Sequence, residues 1–139
     1  EVTRVLKPGG LFALALFGEK TLYELRASHR QATIENSGSR TSHVQSFPTL
    51  KEVSSALGLA GLSCLDQVSA MEVEYHADVP ELLRQLKQIG ASNAAADRPR
   101  GLASRRVMQT MMKIYEDEHR CHAGVPASYE VIIVIAEKN

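Results

Sequence analysis

The chain has 139 residues, 44% of them hydrophobic and 23% charged, enough for one domain with its own core. Lysine plus arginine and aspartate plus glutamate both number 16, so no net charge draws it to nucleic acid, a membrane surface or an acidic polymer, and any partner must be recognised locally. The longest apolar run is far short of the roughly 20 residues that cross a bilayer, no basic-then-apolar leader precedes it, and Cys64 and Cys121 announce no disulfide framework, so a cytoplasmic protein with free thiols is expected.

In chain order, Arg4-Val5-Leu6-Lys7 reads as the last turn of a helix that Pro8 stops, with Gly9 and Gly10 supplying the angles of a reversal. Leu11–Phe17 is seven consecutive apolar residues with no polar alternation, which predicts a strand buried on both faces beneath helices, in a parallel or mostly parallel sheet. Residues 20 to about 34 place Leu22, Leu25, His29 and Ala32 on one face of a helix. A polar loop follows at 36–42. Thr49 and Glu52 have the spacing of a capping box, opening a short helix with Leu50, Val53 and Leu57 that Gly58 stops. Residues 62–75 make a strand whose Met71-Glu72-Val73-Glu74-Tyr75 portion alternates as a half-exposed strand does. Asp78 caps the next helix, with Pro80 in its first turn, Leu82, Leu83, Leu86 and Ile89 on one face and Gly90 at its end. A loop at 93–101 leads to the longest helix, 104 to about 119, with Val107, Met108, Met111, Ile114 and Tyr115 at helical spacing. Gly124 and Pro126 break it before a final strand at 129–136.

Val5-Leu6-Lys7-Pro8-Gly9-Gly10 followed by an apolar strand resembles the segment before the fifth strand of class I S-adenosylmethionine-dependent methyltransferases. Thr21-Leu22-Tyr23-Glu24-Leu25-Arg26, Leu86-Lys87-Gln88-Ile89-Gly90-Ala91 and Ser128-Tyr129 extend the resemblance to the C-terminal half of the malonyl-acyl-carrier-protein O-methyltransferases of biotin synthesis. The resemblance implies an α/β fold: part of a Rossmann-like methyltransferase domain, with a mixed three-stranded sheet, its last strand antiparallel between the two before it, and covering helices. Residues 1–139 are then the C-terminal part of that domain, and helices at about 78–122 an insertion that helps cover the substrate. The cofactor of that fold sits against a Gly-rich strand-to-helix turn, with an acidic residue after the second strand. Here Gly9-Gly10 precedes a strand, and the loop at 36–40 has one glycine and follows a helix. The chain therefore reads as a fragment of a larger enzyme, with S-adenosylmethionine used by the complete protein and no cofactor or turnover expected for this chain alone. The neighbour that the fold gives to Leu11–Phe17 on its far side is missing, and a bare strand edge is a template for another chain, so a homodimer is expected.

Methyl transfer to a carboxylate oxygen demands mainly positioning, because the leaving group is neutral and the nucleophile already charged. A malonyl thioester, on acyl carrier protein or coenzyme A, presents one free carboxylate, and the arginine fork fits it. Arg26 is the leading candidate, with Tyr23 and His29 beside it; the plain alternative makes Arg26 and Arg30 solvated charges of an amphipathic helix. Lys87, Arg98, Arg100, Arg105 and Arg106 form a basic region suited to an acidic carrier, or an ordinary solvated face, and Lys87 and Arg105 join the substrate-side candidates. Met108, Met111 and Met112 line a groove for a flexible arm or are plain core. His119-Arg120-Cys121-His122 holds three ligand types but lacks the second cluster a structural zinc site needs. Asp78 reads as a cap rather than a partner for His76, and Ser28 and His29 diverge on a helix, so no triad, catalytic residue or metal ligand is assigned. Two other classes stay open: a small-molecule methyltransferase of another subfamily, and a non-catalytic binding module that kept half the sheet.

Overall fold

The computed structural model describes residues 1–37, 46–90 and 104–139; Arg98, Arg100, Ala91, the loop at 93–101 and most of the loop at 36–42 lie outside them. The elements are α1 (Val2–Val5), β1 (Leu11–Phe17), α2 (Tyr23–Ser37), α3 (Leu50–Leu59), β2 (Leu62–His76), α4 (Val79–Gln88), α5 (Arg105–His119) and β3 (Val125–Lys138). The three strands are ordered β1-β3-β2, and β1 runs antiparallel to β3. The last strand thus lies between its two predecessors, as the resemblance implied. The chain divides into two compact units, one of Glu1–Thr21, Phe47–Glu72 and Tyr129–Asn139, the other of Leu22–Ser46 and Val73–Ser128.

In the first unit, α1 stops at Val5, and the Gly10 N–H closes a turn onto the Lys7 carbonyl at 2.9 Å, with Gly9 at φ +75. Leu11 then pairs with Glu137 and Phe17 with Val131, a register that puts Phe12, Leu14 and Leu16 on the same side as Ile132, Val134 and Ala136. Val53 and Leu57 of α3 and Leu62 close that side into a core in which Ile132, Val134 and Ala136 are wholly buried. The opposite side is uncovered: Leu11, Ala13, Ala15 and Phe17 are exposed, as are Ile133 and Ile135 of β3. The expectation that β1 is buried on both faces is therefore overturned. Its residues are apolar on both sides, but the described helices of this unit reach only one of them.

Residue 49 caps α3 as the spacing predicted: the Thr49 hydroxyl accepts from the Glu52 N–H at 3.1 Å and the Glu52 carboxylate accepts from the Thr49 N–H at 2.7 Å. The helix runs through Gly58 to Leu59, and Gly61 at φ +76 makes the turn instead. β2 departs from the half-exposed pattern, since every residue between Leu62 and His76 is exposed; among the described strands it is a sheet edge, paired with β3 alone.

In the second unit α2 packs on α5, and α5 on α4. Leu22 at φ +51 is outside helical space, so α2 starts at Tyr23, three residues later than the apolar stripe indicated. The Asp78 carboxylate accepts from the Glu81 N–H at 2.7 Å, confirming it as a cap, and Val79, Leu82 and Leu86 are buried. Ile89, expected on that face, sits at the C-cap and is 73% exposed. The corner into β3 is made by Gly124 at φ +118, where a Cβ would come within 2.2 Å of the His76 carbonyl oxygen; Pro126 lies inside the strand rather than before it. No helix among the described residues is long and apolar enough to cross a membrane.

Truncating Ile132 to Ala in the core of the first unit should lower the unfolding free energy by about 3 kcal/mol. Thr49→Ala should cost about 1 kcal/mol, through the cap alone. Urea unfolding of both variants measures the contrast.

Candidate functional site

The connection leaving the carboxyl end of β1 is held by one residue of β3, Glu130. The Gly18 N–H donates to the Glu130 carbonyl at 2.8 Å, and the Lys20 N–H to its carboxylate at 2.9 Å. The Thr21 hydroxyl donates to the Glu130 carbonyl at 3.2 Å and accepts from its N–H at 3.0 Å. Ser69 of β2 donates its hydroxyl to the second carboxylate oxygen at 2.6 Å. Glu130 is buried, and the Ser69 hydroxyl, followed by the Lys20 N–H, holds its carboxyl below the usual carboxylate range. A Cβ on Gly18 would lie 2.6 Å from that carboxylate, so glycine is what lets the turn close. Phe17, at the strand end, has the Phe47 ring at 6.1 Å and the Tyr129 ring at 5.7 Å. Sequence reasoning missed Glu130 and Ser69. The one available signal was a glutamate entering an otherwise apolar strand.

In the second unit Tyr23, Arg26 and His29 follow one another at one-turn spacing along α2. Tyr23 is 48% exposed, Arg26 is half-buried, and His29 is buried with its Nδ1 3.4 Å from the Thr33 hydroxyl. The Tyr23 ring meets the His119 ring edge-on at 6.4 Å, and His119 meets Tyr115 at 5.3 Å. Beneath Tyr23, the Glu24 carboxylate is buried and accepts from the Ser128 N–H at 3.3 Å and from the Ser128 hydroxyl. Lys87, in the last turn of α4, and Arg105, in the first turn of α5, are both exposed. Met111 is buried and Met108 and Met112 partly so, which is the core reading of the methionines. At the end of α5, Arg120 pairs with Glu116, which draws the Glu116 carboxyl down and the Arg120 guanidinium up. Among the described residues no group of three or more His, Cys, Asp or Glu is placed to hold a metal ion.

Two of the segments that carried the resemblance meet here. In the first unit Thr21 bonds to Glu130; in the second, the Leu22 N–H donates to the Ser128 carbonyl at 2.6 Å, and Glu24 takes both donors of Ser128. Neither described strand-to-helix turn fits S-adenosylmethionine. The turn after β1 has a single glycine, Gly18, and the Glu130 carboxylate already fills the space beside it, while Ala77-Asp78 after β2 has none. A groove of about 550 Å³ over the first unit's core is lined chiefly by apolar side chains, Phe12, Leu14, Leu16 and Val53 among them, with Glu1 and Glu52 also in its lining.

Along 99% of its length the chain is 44% identical to a malonyl-[acyl-carrier protein] O-methyltransferase of Geobacter sulfurreducens, over 140 residues that make up 52% of that protein. It is 36% identical to the biotin biosynthesis bifunctional protein BioHC of Teredinibacter turnerae, again over 99% of this chain but 23% of that one. It is 34% identical to the mitochondrial arginine-hydroxylase NDUFAF5 of Homo sapiens, covering 99% of this chain and 40% of the relative. The chain thus spans about half the length of the first of these relatives and less of the others. No protein-family profile matches it.

Gly18→Ala should destabilise the chain by about 1–3 kcal/mol through the forced displacement of the Glu130 carboxylate, measured by thermal unfolding. Because the Glu130 carboxyl is lowered from 4.5 in the folded chain, its contribution to stability is complete above about pH 4.5 and is lost as pH falls through the lowered value. Unfolding midpoints between pH 7 and pH 3 should therefore fall more steeply for the wild type than for Glu130→Gln.

Proposed function

We propose that this chain, which belongs with the class I S-adenosylmethionine-dependent methyltransferases and is most like their malonyl-[acyl-carrier protein] O-methyltransferases, is the C-terminal part of an enzyme that methylates the free carboxyl of a malonyl thioester in biotin synthesis. The observation that carries this reading is the similarity running through 99% of the chain, including the segments that meet at Glu130 and at Ser128. The uncovered apolar face of β1 and β3 and the open edge of β1 support the fragment reading, since such a surface is normally covered in a complete sheet. The methyl donor is then held by the remainder of a longer polypeptide, in the cytoplasm. This chain supplies the substrate side, with α4 and α5 as the inserted cover.

In that role Arg26 forks the malonyl carboxylate, Tyr23 flanks it, and His29 supports the helix from within. Lys87 and Arg105 meet the carrier, either acyl carrier protein or coenzyme A. Nothing in this arrangement needs a general base, because a carboxylate is already the nucleophile; what the chain provides is orientation. Made alone, it pairs through the β1 edge as a homodimer.

A second reading has its own support: the arginine-hydroxylase relatives match the same 99% of the chain at 32–34% identity, so these residues also suit a protein with a different reaction on a shared scaffold. Transfer of labelled methyl from S-adenosylmethionine to malonyl-coenzyme A by the longer protein separates the two. The chain alone should bind S-adenosylmethionine no tighter than high micromolar by calorimetry, and low-micromolar binding would refute the fragment reading. In the longer protein Arg26→Ala should raise KM for the malonyl thioester about tenfold to a hundredfold, the range for losing a charged hydrogen-bond pair, and Arg26→Lys should not restore it. Light scattering that finds the isolated chain monomeric across a wide concentration range would remove the homodimer.

A further inference from the structure

Glu24 is 1% exposed, and its carboxylate takes two hydrogen bonds, both from Ser128: the N–H at 3.3 Å and the hydroxyl. The same serine accepts from the Leu22 N–H at 2.6 Å, so three bonds tie the start of α2 to a single residue of β3. Leu22 is meanwhile held at φ +51, a conformation that side-chain-bearing residues reach only when their surroundings enforce it. A carboxylate in the first turn of a helix gains from the helix dipole, but it gains that on the surface too. Burying it under a single serine is a costly way to obtain the same effect. What burial adds is a fixed angle. Residues on a helix follow one another at about 100°, so a pinned Glu24 sets Tyr23 on the neighbouring face, half exposed and edge-on to His119, and Arg26 about one turn further on, on the side away from Ser128. His119 is in turn set by Tyr115, whose hydroxyl donates to the Pro126 carbonyl at 2.7 Å, two residues before Ser128.

We propose that Glu24, through Ser128, is a positioning residue that sets the direction of Tyr23 and Arg26 toward an acyl substrate with a free carboxylate. This rests on the reading of Arg26 and Tyr23 given above. Glu24 touches no substrate; it fixes the rotation of α2. The clamp therefore governs how tightly a carboxylate is held and leaves the rate of methyl transfer, once the carboxylate is held, nearly unchanged.

The test uses the longer protein with Ser128→Ala, Glu24→Gln and Arg26→Ala, and malonyl-coenzyme A as the probe. Ser128→Ala removes one hydroxyl and keeps the backbone donor, so it should fold. Its KM should rise about threefold to tenfold, less than for Arg26→Ala because only the direction of the carboxylate's partner is loosened and the partner itself remains, with kcat within about twofold of wild type. Glu24→Gln keeps an acceptor for the Ser128 N–H and should show a KM no worse than that of Ser128→Ala. The NMR shifts of the Tyr23 ring, displaced in the wild type by the His119 ring, should move toward free-tyrosine values in Ser128→Ala. Unchanged KM in both clamp variants while Arg26→Ala raises it overturns the positioning role and leaves the substrate reading standing. Unchanged KM in Arg26→Ala overturns the substrate reading and this inference with it. Should the wild type transfer no methyl at all, the inference falls with the substrate reading, and a Tyr23 ring that stays in place in Ser128→Ala sinks the clamp on its own.

Discussion

Among the described strands β3 alone is hydrogen-bonded along both edges, and the first unit depends on that. Its residues 132, 134 and 136 are all wholly buried, and they are aligned with Phe12, Leu14 and Leu16 by a register running from Leu11 opposite Glu137 to Phe17 opposite Val131. A slip of one position would exchange the buried set for Ile133 and Ile135, the residues that now face outward. The same strand carries Glu130, so the register that builds the core also sets the height at which the turn after β1 is caught. Packing and site geometry follow from one alignment.

Polar side chains then do locally what the apolar core does generally. Glu130 collects donors from Gly18, Lys20 and Ser69, and Thr21 exchanges two bonds with its backbone. Glu24 does the corresponding work in the second unit. Both are buried carboxylates whose named hydrogen bonds come from neutral donors, with the Lys20 charge also helping to lower the Glu130 carboxyl. Such a surrounding suits a chain whose proposed task is orientation, because a rigid frame loses little entropy when a flexible acyl group arrives.

Most elements were legible in the residues. The bounds of β1 came out as Leu11–Phe17 because proline and two glycines fence it, and the two caps, Thr49 with Glu52 and Asp78 with Glu81, were visible as fixed spacings of short-range chemistry. Burial was less legible. An apolar run records what a strand is suited to face, whereas exposure depends on which neighbours the chain supplies, so Leu11 and Phe17 proved exposed and β2 lost both faces to solvent. The start of α2 was misjudged because no propensity rule anticipates a leucine held at φ +51 by the chain around it. Glu130 and Ser69 escaped notice for a related reason: their meaning lies in partners 61 to 110 positions away, and local patterning carries no trace of such distances.

The corner before β3 is a narrow passage. With the His76 carbonyl where the first atom of any side chain at 124 would have to be, and with a backbone angle that only glycine adopts freely, drift at this position is closed off whatever happens at the surface around it. Exposed neighbours such as Cys121, His122 and Ala123 are under no comparable restriction. A sequence diverging from this one is therefore free to redecorate the rim of that corner while keeping its hinge pin, and the length of chain between α5 and β3 is set by the same fit.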